Sequence, residues 1–303
     1  KHIYELCADL IGETVAYENE SQDYYDLIVE EALDKIEDHQ TQYDAILVDE
    51  GQDLNDPMYK VITALLNPQT NNLTIALDDN QNIYARRSSW KAVGVQARGR
   101  IHKISHVYRN TREITEFFTR FMGKEAAAEN GNAQTQLELF PDFFDFKGPK
   151  PEIPQFPDLE SIVRYIPEKI SAIEEHDGCP YSEIAIIYTT KHPDGNSGIP
   201  LPPRLEEAMA SKGILCNWTT KNARTKRNYD ITTNRVSIST IHSAKGFDYA
   251  CVFLLGLDAI DTDRWTEKQI KKLVYVGMTR ARYQLIIPYV HENGIIRCLK
   301  NCL

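Results

Sequence analysis

The segment Ile46-Leu47-Val48-Asp49-Glu50-Gly51-Gln52-Asp53 is the strongest indication of the fold class. An apolar run ends in two adjacent carboxylates, which predicts a buried strand that delivers acids to its carboxyl end. In open α/β sheets, ligands bind at that edge. Nucleotide hydrolysis uses such a pair: Asp49 would hold Mg²⁺ through its water shell, and Glu50 would orient and deprotonate the attacking water. Two alternatives remain open, a solvated strand end and a nuclease that uses Asp49, Glu50 and Asp53.

The composition is ordinary for a globular protein, with an excess of acids. The chain has 303 residues, of which 42% are hydrophobic and 26% charged, and its formal net charge is −10. This length allows two compact domains. The charge argues against a broad basic coat for nucleic acid but allows a local basic groove. No apolar run has the length of a membrane span, and six scattered cysteines indicate reduced thiols in a cytoplasmic protein.

The order of the predicted elements indicates an α/β fold. A helical lead-in over residues 1–40 precedes a strand over 45–48, a helix over 57–66 and a second buried strand over 73–77. Strand, helix and strand in alternation are typical of a parallel sheet. The first domain is therefore expected to extend to residue 99.

A second domain is predicted over residues 100–303, because the alternation of strands and helices resumes there. The predicted strands are 101–105, 184–188, 214–218, 236–240, 251–255 and 284–288, and the predicted helices are 111–121, 159–175, 204–211 and 268–281.

A second polar segment, from Asp78 to Arg87, follows the strand over 73–77. Its uncharged amide, Gln81, is suited to sense a terminal phosphate and a neighbouring polymer together. Tyr84 and the arginines Arg86 and Arg87 are suited to stack on bases or to hold phosphates. Packing of Tyr84 against the next helix is an equally open interpretation.

Three further positions have the chemistry of a phosphate site. Arg109 precedes a predicted helix, and a helix N-terminus attracts anions. The strand over 236–240 runs into hydroxyls, His242, a lysine and a glycine, which suit a phosphate backbone. Arg280, on the helix predicted over 268–281, is a candidate arginine finger. A solvated Arg109 and a purely structural His242 are the alternatives.

Five motifs occur in one order along the chain: VDEGQD from Val48, DDNQNIY from Asp78, VYRN from Val107, TIHSAKGFD from Thr240 and YVGMTRAR from Tyr275. In this set and order the chain resembles the UvrD/Rep/PcrA-like superfamily 1 DNA helicases, over Tyr43 to about Pro288. The resemblance implies two RecA-like parallel-sheet domains, the first incomplete, with ATP and Mg²⁺ as cofactors. It also implies single-stranded DNA, or a junction of single and double strands, as the partner, with 3′-to-5′ polarity.

The resemblance also implies the roles of individual residues. Asp49 and Glu50 would serve Mg²⁺ and the attacking water, and Gln81 would couple the γ-phosphate to DNA. The catalytic and nucleotide-binding positions are Asp49, Glu50, Gln81, Arg109, Gly246, Asp248 and Arg280. The DNA-facing positions are Tyr84, Arg86, Arg87, Thr240 and His242.

The chain departs from the family's pattern in its phosphate loop, because no GxxxxGK[ST] occurs among the 303 residues. We therefore expect a C-terminal portion of a larger helicase, whose N-terminal Walker A portion is missing and which is inactive alone. A catalytically silent helicase-like module that binds nucleic acid or a protein is the alternative. Arg86 also stands where the family often has an aromatic residue, and the segment between Trp218 and Val236 is short, which suggests a minimal motor.

Overall fold

The chain forms two compact units, Lys1–Ile104 (unit 1) and Ser105–Leu303 (unit 2). The computed structural model describes residues 1–15, 21–36, 43–77, 89–102, 109–129, 146–195, 198–221, 233–261 and 265–303. The division falls five residues beyond the boundary expected between residues 99 and 100.

The described part of unit 1 is a two-stranded parallel sheet with helices. Its elements are α1 (Ile3–Ile11), α2 (Gln22–Lys35), β1 (Ala45–Val48), α3 (Asp56–Ala64) and β2 (Asn72–Ile75). The strands pair in parallel, with Ile46 opposite Leu73 and Val48 opposite Ile75. Asn55 caps α3 by accepting a hydrogen bond from the Met58 N–H at 3.1 Å, as the cap-then-proline sequence indicates.

The strands of unit 1 are less buried than the sequence predicts. Leu47 is 80% exposed, and β2 alternates between exposed and half-buried residues. Successive side chains of a strand point to opposite faces of the sheet. The apolar cluster formed by α1, α2 and α3 packs against Ile46, so that Leu47 points away from it. The prediction of two fully buried strands is therefore wrong for the described residues.

The described part of unit 2 is built on a parallel sheet whose neighbouring strands are, in order, β4 (Cys216–Trp218), β5 (Val236–Thr240), β3 (Ile184–Tyr188), β6 (Tyr249–Leu255) and β7 (Ala281–Ile286). All five residues of the central strand β3 are buried, as expected for a strand covered on both faces. The described elements are α4 (Arg112–Glu129, broken at Gly123), α5 (Leu159–Asp177), β3 (Ile184–Tyr188), α6 (Leu201–Ser211), β4 (Cys216–Trp218), β5 (Val236–Thr240), β6 (Tyr249–Leu255), α7 (Glu267–Met278), β7 (Ala281–Ile286) and α8 (Gly294–Lys300).

The predicted α/β class with parallel sheets is confirmed, and it is consistent with RecA-like helicase domains. The bounds of β1, β3 and β5 agree with the sequence-based prediction. Of the strand predicted over 101–105, residues 101 and 102 lie outside any strand, and the rest lies outside the described residues. The final helix, α8, was not predicted.

Two smaller observations agree with the composition. All six cysteines are free thiols, and Cys251 is buried in β6, where burial raises the pKa of its thiol. Among the helices in the described ranges, none combines the length and apolar character needed to cross a bilayer.

Candidate functional site

The acidic turn of unit 1 follows β1 directly. The exposed carboxylate of Asp49 accepts a hydrogen bond from the backbone N–H of Glu50 at 2.9 Å. Glu50 has φ 53° and ψ 40°, a left-handed conformation that is uncommon outside glycine. The carboxylate of Glu50 accepts a hydrogen bond from the side-chain amide of Gln52. Backbone strain of this kind is typical of functional sites, and here it coincides with the two predicted acids.

The turn is held in place by Gly51. Its N–H donates to the carbonyl of Ala76 at 2.9 Å, and its carbonyl accepts a hydrogen bond from the Tyr59 hydroxyl at 2.6 Å. A Cβ at position 51 would lie 2.6 Å from the Ile75 side chain and 2.8 Å from the Tyr59 oxygen. Only glycine therefore fits between the turn and β2. Burial, assisted by Asp53, raises the pKa of Tyr59 to about 12, so the phenol remains a donor at neutral pH.

Tyr59→Phe should destabilise unit 1 while leaving its packing intact. The substitution removes one buried hydrogen bond and leaves the Gly51 carbonyl without that donor, which costs about 1–3 kcal/mol. Urea unfolding followed by circular dichroism measures the change. Tyr43→Phe, which alters an exposed tyrosine of the same unit, is the matched control. Equal unfolding midpoints for the two variants would show that the Tyr59 bond does not hold the turn.

The donor set of the turn suits Mg²⁺, which prefers oxygen ligands, retains several waters and uses one or two carboxylates. Asp49 presents an exposed carboxylate at the strand end, and Glu50 lies beside it. No group of three or more His, Cys, Asp or Glu able to hold a metal directly exists in the part of the chain that the structure describes.

Four of the predicted nucleotide-binding residues lie at the amino-terminal edge of the unit 2 sheet. Asp248 directly precedes β6, and Arg280 directly precedes β7. Arg109 has its Nε 4.0 Å from an Asp248 oxygen, with 67% of its side chain exposed. Gly246 has φ 85°, which allows the chain to turn into β6. An exposed guanidinium next to a turn with accessible backbone is suited to bind an anion.

Arg280 is buried rather than projecting, with 3% of its surface exposed. Its Nε donates to the Val276 carbonyl at 3.0 Å, Nη1 to the Phe247 carbonyl at 3.1 Å, and Nη2 to the Thr279 hydroxyl at 3.1 Å. These bonds tie the last turn of α7 to the loop that carries Asp248. The guanidinium therefore has a structural role in this conformation, whatever it does for a nucleotide.

The prediction that Arg280 lies on a helix is wrong, because α7 ends at Met278 and β7 begins at Ala281. Asn110 holds the chain where the helix ends. Its side-chain amide is buried and donates to the carbonyl of Thr279 at 3.2 Å and to that of Ala281 at 2.6 Å, on either side of Arg280. Sequence reasoning missed Asn110 as a positioning residue, although it stands beside Arg109 in the VYRN motif.

The predicted DNA-facing residues of unit 2 lie at the opposite edge of the same sheet. Thr240 is the last residue of β5, and its hydroxyl accepts a hydrogen bond from the Ser243 N–H at 3.2 Å. His242 is exposed, and its ring centroid is 6.1 Å from that of Trp265. The remaining predicted site residues, Gln81, Tyr84, Arg86 and Arg87, lie outside the described residues.

Comparison with known families gives two matches along the chain. Residues 7–93 match the family model of the UvrD/REP helicase N-terminal domain, and residues 205–292 match that of the UvrD-like helicase C-terminal domain. The two matches follow one another in the order that the motifs predicted. They support the assignment of the chain to the UvrD/Rep-like DNA helicases.

Individual relatives are named as helicases. The chain is 38% identical over 68 residues to the ATP-dependent DNA helicase Rep of Buchnera aphidicola from Schizaphis graminum, over 20% of this chain and 10% of that protein. It is 24% identical over 265 residues to a probable DNA helicase of Mycoplasma pneumoniae, over 81% of this chain and 43% of that protein. The chain thus spans less than half the length of these relatives.

A solved structure also overlaps the chain. It is described as the C-terminal domain of a possible DNA helicase from Lactobacillus plantarum WCFS1, is 15% identical, and covers 64% of this chain and 94% of that one with a TM-score of 0.43. An overlap this loose does not locate individual residues, so the arrangement described above rests on the chain's own contacts.

Proposed function

We propose that the chain is the motor portion of an ATP-dependent DNA helicase or single-stranded-DNA translocase that moves 3′ to 5′. Asp49 would hold the water shell of Mg²⁺, and Glu50 would take a proton from the attacking water. Arg109 and Arg280 would stabilise charge on the γ-phosphate. The names of the relatives, which are ATP-dependent DNA helicases, support the cofactor and the substrate class.

One observation carries the proposal: the two groups of residues lie at opposite edges of the same parallel sheet. Asp248 and Arg280 precede β6 and β7, whereas Thr240 ends β5 and His242 follows it. On this proposal, a movement of the strands that follows nucleotide hydrolysis at one edge would be transmitted to the other edge through the rigid, buried sheet. This separation is what a motor needs and what a simple nucleic-acid-binding module does not.

A catalytically silent module is the second candidate, favoured by two observations. The 303 residues contain no GxxxxGK[ST], whose backbone N–H groups and lysine cradle the phosphates in such motors. The Arg280 guanidinium is also bonded to protein carbonyls. On this hypothesis the chain retains the fold and the DNA-facing edge, and Glu50 has no catalytic role.

The 303-residue chain should bind single-stranded DNA and show no appreciable ATP turnover. Binding should be weak, with little sequence preference and strong salt dependence, because phosphate contacts dominate and the net charge is −10. Fluorescence anisotropy of a labelled oligonucleotide at two salt concentrations, run beside a phosphate-release assay, measures both properties. Adding a GxxxxGK[ST]-containing segment should restore DNA-stimulated hydrolysis. Absence of binding to single strands, or no hydrolysis after this addition, would contradict the motor proposal.

A further inference from the structure

Trp265 lies at the DNA-facing edge of unit 2 and belongs to none of the five motifs. β6 ends at this edge. The chain then runs back along α7 to the other edge of the sheet, where β7 begins. The start of α7, and Trp265 just before it, are therefore at the edge where β5 ends in Thr240. The proximity of the Trp265 and His242 rings agrees with this placement.

The start of α7 fixes the position of Trp265. The next residue, Thr266, caps the helix: its hydroxyl accepts from the Gln269 N–H at 3.3 Å, and its own N–H donates to the Gln269 side chain at 3.0 Å. This capping box satisfies two helix-end donors reciprocally and fixes the direction in which the chain enters the helix. The Trp265 ring is consequently presented from a defined backbone position.

The two rings form a surface that is apolar yet open to solvent. Trp265 is half-buried and His242 is exposed. Their centroids are 6.1 Å apart and their planes are inclined by 40°, so they do not cover each other as a closed stack would. Thr240 and Ser243, which lie within two residues of His242 in the chain, carry hydroxyl groups. Half-exposed aromatic faces beside polar groups are the usual means of stacking unpaired bases.

The charges around the pair are mixed. Lys268 and Glu267 lie in the first turn of α7 and are exposed, and Glu267 pairs with Lys271 at 3.2 Å. Asp261 is exposed on the chain that leads to Trp265. With no dominant positive field at this pair, the two rings would contribute by stacking, in addition to the backbone phosphate contacts expected of the chain as a whole.

Acidic side chains limit the surface on the side of β6 and β7. A cavity of about 270 Å³ opens beyond the ends of these strands, and Asp158, Asp194 and Asp258 line it. Each of these acids already has a structural partner: Ser161, Arg204 and the backbone N–H groups of Val290 and His291, respectively. This acidic lining is less favourable for phosphates than the hydroxyls at the end of β5, so we expect a bound strand to keep to the β5 side.

We propose that Trp265, together with His242, is a stacking platform for an unpaired base of single-stranded DNA. This inference rests on the proposed function, because it assigns a new contact residue to the DNA-facing edge of unit 2. A base would lie against the exposed part of the Trp265 ring, while its backbone passes the hydroxyls at the end of β5. Stacking on one aromatic ring is sequence-tolerant, since every base has a π face.

The chain has three tryptophans, Trp90, Trp218 and Trp265, which makes a direct test possible. The variant Trp90→Phe/Trp218→Phe retains Trp265 as the single indole. Its fluorescence should be quenched saturably by oligothymidylate. The matched variant Trp90→Phe/Trp265→Phe retains Trp218, whose ring packs against the core and lies under the Lys221 ammonium at 5.5 Å. Its fluorescence should change little.

A second measurement uses Trp265→Ala, with a thermal melt to verify folding. Its affinity for labelled single-stranded DNA should fall by roughly five- to a hundredfold, the range for loss of one stacked base. The slope of log affinity against log salt should stay the same, because no phosphate contact is removed. Trp265→Phe, which keeps an aromatic face, should lose much less.

The outcomes separate this inference from the proposed function. If the unaltered chain does not bind single strands, the DNA-binding part of the proposed function fails and the stacking platform fails with it. If the unaltered chain binds, unchanged affinity in folded Trp265→Ala overturns the platform alone. If Trp265→Ala does not fold, the test rests on the fluorescence of Trp90→Phe/Trp218→Phe. Binding of oligothymidylate without quenching of Trp265 also overturns the platform.

Discussion

Glu50→Gln is expected to leave ATP binding intact and to lower hydrolysis by roughly 10²–10⁴-fold, the scale of general-base catalysis. The protein to be assayed is this chain joined to a segment that contains GxxxxGK[ST]. The amide keeps the size of the side chain and can still accept the hydrogen bond from Gln52. It cannot take a proton from water. The loss should therefore appear in kcat, while the Kd for ATP stays near that of the unaltered protein.

The strained backbone at Glu50 makes the choice of control important. Glutamine meets the same left-handed conformation as glutamate, so the substitution adds no backbone strain. Asp56→Asn removes one negative charge from an exposed position at the start of α3 in the same unit. It should hydrolyse ATP at a near-normal rate. Hydrolysis by Glu50→Gln at the rate of this control would remove Glu50 from the catalytic role.

The sequence predicts most of the fold because the apolar runs of unit 2 are strong local signals. The bounds of β3 and β5 are correct, since β3 is a short, buried apolar segment and β5 alternates Val236 and Ile238 with small hydroxyl residues. The exposure of Leu47 could not be predicted. It depends on which face of β1 the helices cover, and the residue itself is as apolar as its buried neighbours. Periodicity over a strand of four residues does not contain that information.

The errors at the candidate site have a long-range origin. The end of α7 is set partly by Asn110, which contacts the Thr279 carbonyl from 169 positions away in the sequence. No local propensity marks that position as a helix end. Trp265 was missed for a different reason: it stands outside every motif, and only the position of the start of α7 at the β5 edge brings it near His242. Motifs identify residue types, whereas the sheet determines which of them meet.

Arg280→Ala is expected to have two separable effects, a fall in turnover and a fall in stability. An arginine finger contributes about 10³-fold or more to kcat, because charge on the γ-phosphoryl group develops in the transition state. The structure adds the second effect, since truncation leaves the buried carbonyls of Val276 and Phe247 without this donor. We expect a loss of about 2 kcal/mol or more in the free energy of unfolding.

Arg282→Ala is the matched control for this variant. Arg282 is two residues further along, is half-exposed and pairs with Glu183. Loss of an exposed ion pair changes stability by about 0–1 kcal/mol, and this side chain has no proposed contact with the nucleotide. Turnover per folded molecule should therefore stay close to that of the unaltered protein. Arg280→Lys adds a third comparison, because it retains the charge but not the planar fork that makes three bonds.

The two roles of Arg280 are compatible because a phosphate oxygen could replace one of the carbonyls that its guanidinium now contacts. Val276 and Phe247 accept through neutral carbonyls, and a guanidinium binds a phosphate oxygen more strongly than a neutral acceptor. A γ-phosphate near Arg109 would thus draw the Arg280 guanidinium away from at least one carbonyl, at a cost smaller than the bond gained. Phosphate release and a thermal melt on the same preparation decide the matter. An Arg280→Ala protein that melts early but keeps normal kcat per folded molecule would make this arginine purely structural.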